Sequence, residues 1–131
     1  MSEKSPIRSF TDLEAWQRAR ELHAAICAAC KQESFRREFK LIAQIKDSSC
    51  SVMANIAEGY EKGSRAEYHR YLLIAKGSAG ETLSHLYSAL DDGAINKDQF
   101  ESLSALALRV ARIIGALRIA IKPPAAKGAG P

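Results

Sequence analysis

The residues best equipped for chemistry are three cysteines and one nearby histidine. Cys27 and Cys30 form a C-x-x-C pair, His23 lies four residues before Cys27, and Cys50 stands apart. Thiolate and imidazole together suggest zinc, but a closed zinc site needs four ligands, and a single pair supplies two. His23 and Cys50 could complete a set only through a tertiary contact. Their spacing argues for packing instead. Leu13, Trp16, Ala19, His23, Ile26, Cys27 and Cys30 recur at steps of three and four, one face of a helix. Cys27 and Cys30 are expected as packed thiols, and His23 as a hydrogen-bonded core histidine. Glu81 and His85 form a carboxylate–imidazole pair, yet a di-iron bundle uses Glu-x-x-His on two helices, and this spacing is longer and occurs once. No serine or cysteine sits in a Gly-rich elbow, and no phosphate-cradling or dinucleotide fingerprint occurs. The chain reads as a non-enzyme with no catalytic residues, no metal and no cofactor.

Two other patterns could bind rather than react. Arg37, Gln44, Ser48, Ser51, Asn55 and Glu58 make a polar stripe beside an apolar one. Half-buried polar groups need partners, so the favoured reading is a hydrogen-bonded seam against a neighbouring helix; an exposed binding face is the alternative. From residue 102 to the C-terminus the chain holds Arg109, Arg112, Arg118, Lys122 and Lys127 and no acid. A solvated basic face explains this, and so does a phosphate-binding surface, since nucleic-acid affinity grows with the phosphates neutralised. Arg109, Arg112, Arg118 and Lys122 are the candidate nucleic-acid contacts.

Four helices must position these groups. Thr11-Asp12-Leu13-Glu14 has the form of a capping box opening a first helix that runs to about Gln32. Leu41, Ile42, Ile45, Ser49, Val52 and Ile56 place a second helix over about Arg36 to Ala57, with Gly59 as its left-handed closing residue. Ser64-Arg65-Ala66-Glu67 is a second capping box; it starts a third helix aligning Tyr68, Leu72, Ala75, Ala79, Leu83, Leu86 and Leu90, which Gly93 stops. Asn96 with Gln99 caps a fourth, whose stripe (Phe100, Leu103, Ala107, Val110, Ile114, Leu117, Ile121) reaches Lys122 before Pro123-Pro124 ends it. No segment alternates like a strand. Four amphipathic helices with short connections predict an all-α, antiparallel up-down-up-down bundle over residues 11–122. Residues 1–10 are expected as an N-terminal extension and 123–131 as a disordered tail.

A chain of 131 residues, 47% hydrophobic and 26% charged, suits one globular domain. The net charge of +4 permits an anionic partner without demanding one. No apolar run approaches the roughly 20 residues of a membrane span, so no membrane is expected. Free cysteines fit a reducing, cytoplasmic setting.

The third and fourth helices carry a second apolar side. Leu73, Gly77, Gly80, Ser84 and Tyr87 lie off the main stripe of the third, and Leu108 and Ile119 opposite that of the fourth. A glycine within a helix costs about 1 kcal/mol against alanine. Close approach of another helix would offset that cost, either inside one bundle or between copies. Leu73, Gly77, Gly80, Tyr87, Leu108 and Ile119 are therefore the candidate oligomer interface.

One stretch adds a resemblance. Gln44, then Ser51-Val52-Met53-Ala54-Asn55-Ile56-Ala57-Glu58-Gly59, then Glu67-Tyr68, Leu72, Ile74-Ala75-Lys76-Gly77-Ser78 and Glu81, with Phe10-x-x-Leu13-x-x-Trp16 before them, resemble the four-helix bundle proteins named for intervening sequences of bacterial 23S rRNA. The likeness covers about residues 10–120, with Gln44, Asn55, Glu58, Gly59, Gly77, Ser78 and Glu81 as its motif positions. It implies a ring-like homopentamer. The chain is also similar to accessory proteins of diversity-generating retroelements, which implies RNA or DNA and a reverse transcriptase as partners. The expected function is a non-enzymatic oligomeric scaffold associated with nucleic acid through basic surfaces. A structural protein–protein interaction module is the alternative.

Overall fold

The computed structural model describes residues 6–124. They form a short 3-10 turn, Phe10–Asp12, and four helices: α1 Glu14–Cys30, α2 Phe39–Glu61, α3 Arg65–Asp91 and α4 Lys97–Ile121. There is no strand among the described residues. Residues 1–5 and 125–131, including Lys127 and most of the expected tail, lie outside the described residues.

The chain enters the fold one turn earlier than Thr11 suggests. Ser9 Oγ accepts from the Thr11 amide at 3.1 Å, and the Asp12 carboxylate accepts from the amides of Arg8 and Ser9 at 2.9 and 3.1 Å. Ser9 and Asp12 thus form the capping box, and it closes the 3-10 turn rather than α1. Phe10 then stands edge-on to Trp16, ring centroids 5.2 Å apart. The alternative pair, Thr11 and Glu14, does not form a box, because the Thr11 amide and hydroxyl both donate to Ser9 Oγ.

α1 ends at Cys30, and α2 begins at Phe39 rather than Arg36. Phe35 is the cause: its side chain is buried in the core at 1% exposure, which draws the chain out of helical geometry. The connection is tied across the bundle. Gln32 Nε2 and Ser34 Oγ both donate to the Ala94 carbonyl, at 2.9 and 2.8 Å, and Gln99 Nε2 donates to Gln32 Oε1 at 2.6 Å. The far end of α1 therefore meets the start of α4.

Gly59 does not close α2. It lies within the helix, fully buried, and a methyl group there would stand 2.7 Å from Tyr71 Cβ and 3.3 Å from the Tyr68 carbonyl. Its missing side chain lets α3 approach α2. The left-handed residue is Gly63, at φ 81°. Ser64 Oγ accepts from the Glu67 amide at 3.1 Å as expected of a cap, while Glu67 turns to Arg70, 2.8 Å away. Gly93 stops α3 at φ 75°, and the Asn96 and Gln99 capping box opens α4 as the sequence predicts.

α1 packs on α2 and α4, α2 on α3, and α3 on α4, around one core. Leu22, Ile26, Ile45, Val52, Ile56, Leu72, Leu86, Val110 and Ile114 are all at most 1% exposed. Burying one such side chain is worth about 1.5–3 kcal/mol, so these stripes set the fold.

Candidate functional site

The four basic candidates do not converge on one patch. Arg109 and Arg112 are exposed on α4, and Lys122 is exposed at its C-cap. None of the three pairs with an acid among the described residues. Arg118 differs. It is half-buried against α3, its Nη1 donating to His69 Nε2 at 3.4 Å, and its Nε is buried without a partner. A guanidinium only donates, so His69 must accept at Nε2 and carry its proton on Nδ1. Arg109 and Arg118 are about half a turn apart around α4, at roughly 100° per residue. Arg109, Arg112 and Lys122 offer charge to solvent; Arg118 is spent partly on the α3 contact.

Arg65 joins this end of the molecule, which the linear pattern does not reveal. Its Nε and Nη2 donate to the carbonyls of Ile121 and Lys122 at 3.3 and 3.2 Å. It thereby satisfies acceptors that a helix C-terminus leaves open and adds its positive charge where the helix dipole is negative. No local signal marks the role, because the partner lies 56 residues away.

The polar stripe of α2 is largely a seam with α3. Ser48 Oγ meets Thr82 Oγ1 at 2.9 Å, both residues buried, and Ser51 Oγ meets Ser78 Oγ at 3.0 Å. Tyr71 Oη donates to Glu58 Oε1 at 3.3 Å. Asn55 stays on its own helix, donating from Nδ2 to the carbonyl and hydroxyl of Ser51 at 2.8 and 2.9 Å. Gln44, Arg37 and Glu81 are exposed; Glu81 lies 3.3 Å from His85 of its own helix.

The six interface candidates occupy the outer face of α3 and α4. Leu73, Tyr87, Leu108 and Ile119 are exposed by 45, 54, 46 and 70%. Two contacts orient the helices: Tyr87 packs on Phe100 at 4.7 Å between centroids, the rings tilted by 59°, and His69 meets Arg118. Helical spacing then puts Leu73, Gly80 and Tyr87 on the α4 side of α3, with Leu108, Gly115 and Ile119 just beyond the seam on α4. A methyl group at Gly77, Gly80 or Gly115 would meet nothing within 4 Å. These glycines do not serve a close contact within the bundle, which removes that explanation for them. Phe39, 78% exposed at the start of α2, is a further exposed apolar side chain that the sequence stripes did not single out.

The cysteines divide. Cys30 is buried, and burial together with the neighbouring Cys27 pushes its thiol up to about 11. Cys27 is half-buried, its sulfur 3.5 Å from His23 Nε2, and Cys50 is exposed. His23 Nδ1 lies 2.8 Å from Ser49 Oγ, so the histidine is hydrogen-bonded across the α1–α2 contact. Among the described residues, no three His, Cys, Asp or Glu side chains gather as a metal-holding group, and no helix is long and apolar enough to cross a membrane.

Four helices around a shared core, with no strand among the described residues and a polar seam between α2 and α3, define the class: an all-α helical bundle. The family follows from comparison. The model for the 23S rRNA-intervening sequence protein matches residues 11–116, and the chain belongs to that family. Among solved structures, the chain is similar to a protein of unknown function from the S23 ribosomal protein family of Bacteroides thetaiotaomicron VPI-5482. The two share 26% identity with a TM-score of 0.73, over 83% of this chain and 99% of that one. No curated protein matches.

Proposed function

We propose that the protein is a non-enzymatic scaffold, assembled from copies of itself, that carries nucleic acid by its phosphate backbone. One observation bears most of the weight: Arg109, Arg112 and Lys122 are exposed on or beside a rigid helix, in a segment without acids, and have no ion-pair partner among the described residues. Contacts of this kind position a protein without reading bases, so binding carries little sequence preference. The family's association with 23S rRNA intervening sequences supports RNA as the first candidate. Self-assembly is supported by the apolar outer face of α3 and α4 and by glycines with open space above them; the homopentamer is what the family resemblance implies. The antiparallel up-down-up-down order is supported by contacts joining the end of α1 to the start of α4 and the start of α3 to the end of α4. A cytoplasmic location fits three free thiols.

The second reading is a protein–protein interaction module, favoured by that same apolar face. A reverse transcriptase or another protein would then be the partner. Fluorescence anisotropy with labelled RNA and DNA at several salt concentrations separates the two. R109Q/R112Q/K122Q is expected to weaken binding at least about tenfold, or 1.4 kcal/mol, and to lower the salt slope by up to about three. Equal binding by wild type and variant removes this surface. No binding by either puts the protein–protein module first.

A further inference from the structure

The contact between α1 and α2 lines up a thiol, an imidazole and a hydroxyl that the scaffold reading does not use. Cys27 Sγ lies 3.5 Å from His23 Nε2, and His23 Nδ1 lies 2.8 Å from Ser49 Oγ. Ser49 sets the direction of the file. Its one hydroxyl proton has the Lys46 carbonyl as an acceptor at 3.2 Å; with the proton placed there, Ser49 Oγ accepts from the ring and His23 carries its proton on Nδ1. Nε2 is left with a bare lone pair facing the Cys27 sulfur, and the thiol donates to it.

We propose that Cys27 is a nucleophilic modification site for small soft electrophiles, hydroperoxides among them, with His23 taking the thiol proton as the sulfur attacks. A thiol paired with an oriented base is the general arrangement of an activated nucleophile. Burial and the Lys46 ammonium lower the pKa of His23, so at neutral pH the ring is in its base form, and it takes the thiol proton as the new bond to sulfur forms. Lys46 on α2 and Cys30 on α1 are the other ionisable groups acting on this cluster. With an alkyl halide, the S–C bond forms as the carbon–halogen bond breaks, halide leaves with the electron pair, and the proton passes to His23 Nε2. With hydrogen peroxide, the S–O bond forms as O–O breaks; sulfur is oxidised to the sulfenic acid and the peroxide is reduced. The departing hydroxide recovers the proton from His23 and leaves as water.

The other two cysteines supply references in the same molecule. Cys30 is buried, and Cys50 is exposed without a hydrogen-bond partner among the described residues. The full chain is treated with limiting iodoacetamide between pH 6 and 9, and each cysteine is followed by peptide mass spectrometry. Cys27 is expected to react faster than Cys50 at pH 7 despite being half-buried. His23→Gln keeps the size of the side chain but removes the base; it is expected to slow Cys27 at least about tenfold and leave Cys50 unchanged. Ser49→Ala, which removes only the group that orients the ring, is expected to slow Cys27 severalfold in a chain that keeps its helical circular dichroism. After hydrogen peroxide, dimedone is expected to label Cys27 and not Cys50. A wild-type Cys27 slower than Cys50, a Cys27 rate unmoved in either variant, or equal dimedone labelling overturns the proposal.

Discussion

Gly59→Ala should destabilise the protein, although alanine is the better helix former. The added Cβ would lie 2.7 Å from Tyr71 Cβ, 3.3 Å from the Tyr68 carbonyl oxygen and 3.4 Å from Tyr68 Cδ1. Carbon atoms in ordinary contact sit about 3.5–4.0 Å apart, so α3 must retreat from α2 by roughly 1 Å. The crowded atoms are a Cβ, a carbonyl and a ring held by its neighbours, none of which can swing aside. Overpacking of this kind costs about 1–3 kcal/mol, and the rigidity of the neighbours places this site in the upper part of that range. Helix propensity returns about 1 kcal/mol. The net loss is about 1–2 kcal/mol, a fall in melting temperature of roughly 4–7 °C for a chain of this size. Gly77→Ala and Gly80→Ala make the matched comparison. Their new methyl groups meet nothing within 4 Å, so each should gain up to about 1 kcal/mol in the stability of the fold. Urea unfolding followed by far-UV circular dichroism, at several protein concentrations, separates fold from assembly. A Gly59→Ala variant as stable as the wild type would refute the close-approach argument.

Gly80→Leu should leave the fold intact and reduce the molecular mass found by light scattering; a wild type that is already monomeric would defeat the assembly proposal. Thr82→Val should cost about 1 kcal/mol by removing the α2–α3 bond to buried Ser48, which keeps the Ile45 carbonyl as its other partner, whereas Asn55→Ala, whose bonds are local to α2, should cost less, and calorimetry ranks the two. The pKa of His23 is lowered in the folded state, so the unfolded chain binds more protons as pH falls from its ordinary value near 6.5. Stability should therefore drop below that pH, and His23→Gln should flatten the drop in urea midpoints. The Cys30 thiol moves the other way, from 9.0 to about 11. Its contribution is present below pH 9 and fades as pH rises towards 11, a loss that Cys30→Ala should abolish.

The helices were legible because apolar residues at steps of three and four have one economical solution in water. The Asn96 and Gln99 box and the stop at Gly93 were legible because caps are local chemistry. The start of α1 and the limits of α2 were not. Thr11-Asp12-Leu13-Glu14 and Ser9-Phe10-Thr11-Asp12 are equally good patterns, and the folded chain takes the second, with Asp12 turned to the Arg8 and Ser9 amides and Phe10 packed on Trp16. Phe35 looks like any loop aromatic until the core takes it. Among the candidate site residues, the exposed positions Arg109, Arg112, Leu73, Tyr87 and Ile119 could be read from the helical wheel, which knows inside from outside.

By itself the sequence determined four amphipathic helices, their order, the main core stripes and a basic, acid-free C-terminal segment. Those are properties of short stretches and of periodicity. Tertiary structure alone decided that Gly59 is a point of close approach while Gly77 and Gly80 open to solvent. It also decided that Arg118 turns to His69, that Arg65 closes α4, and that Ser49 orients His23 towards Cys27. Each of these depends on the rotation of one helix about its axis relative to its neighbour. That rotation is set by the whole interlocked core and is written in no single segment.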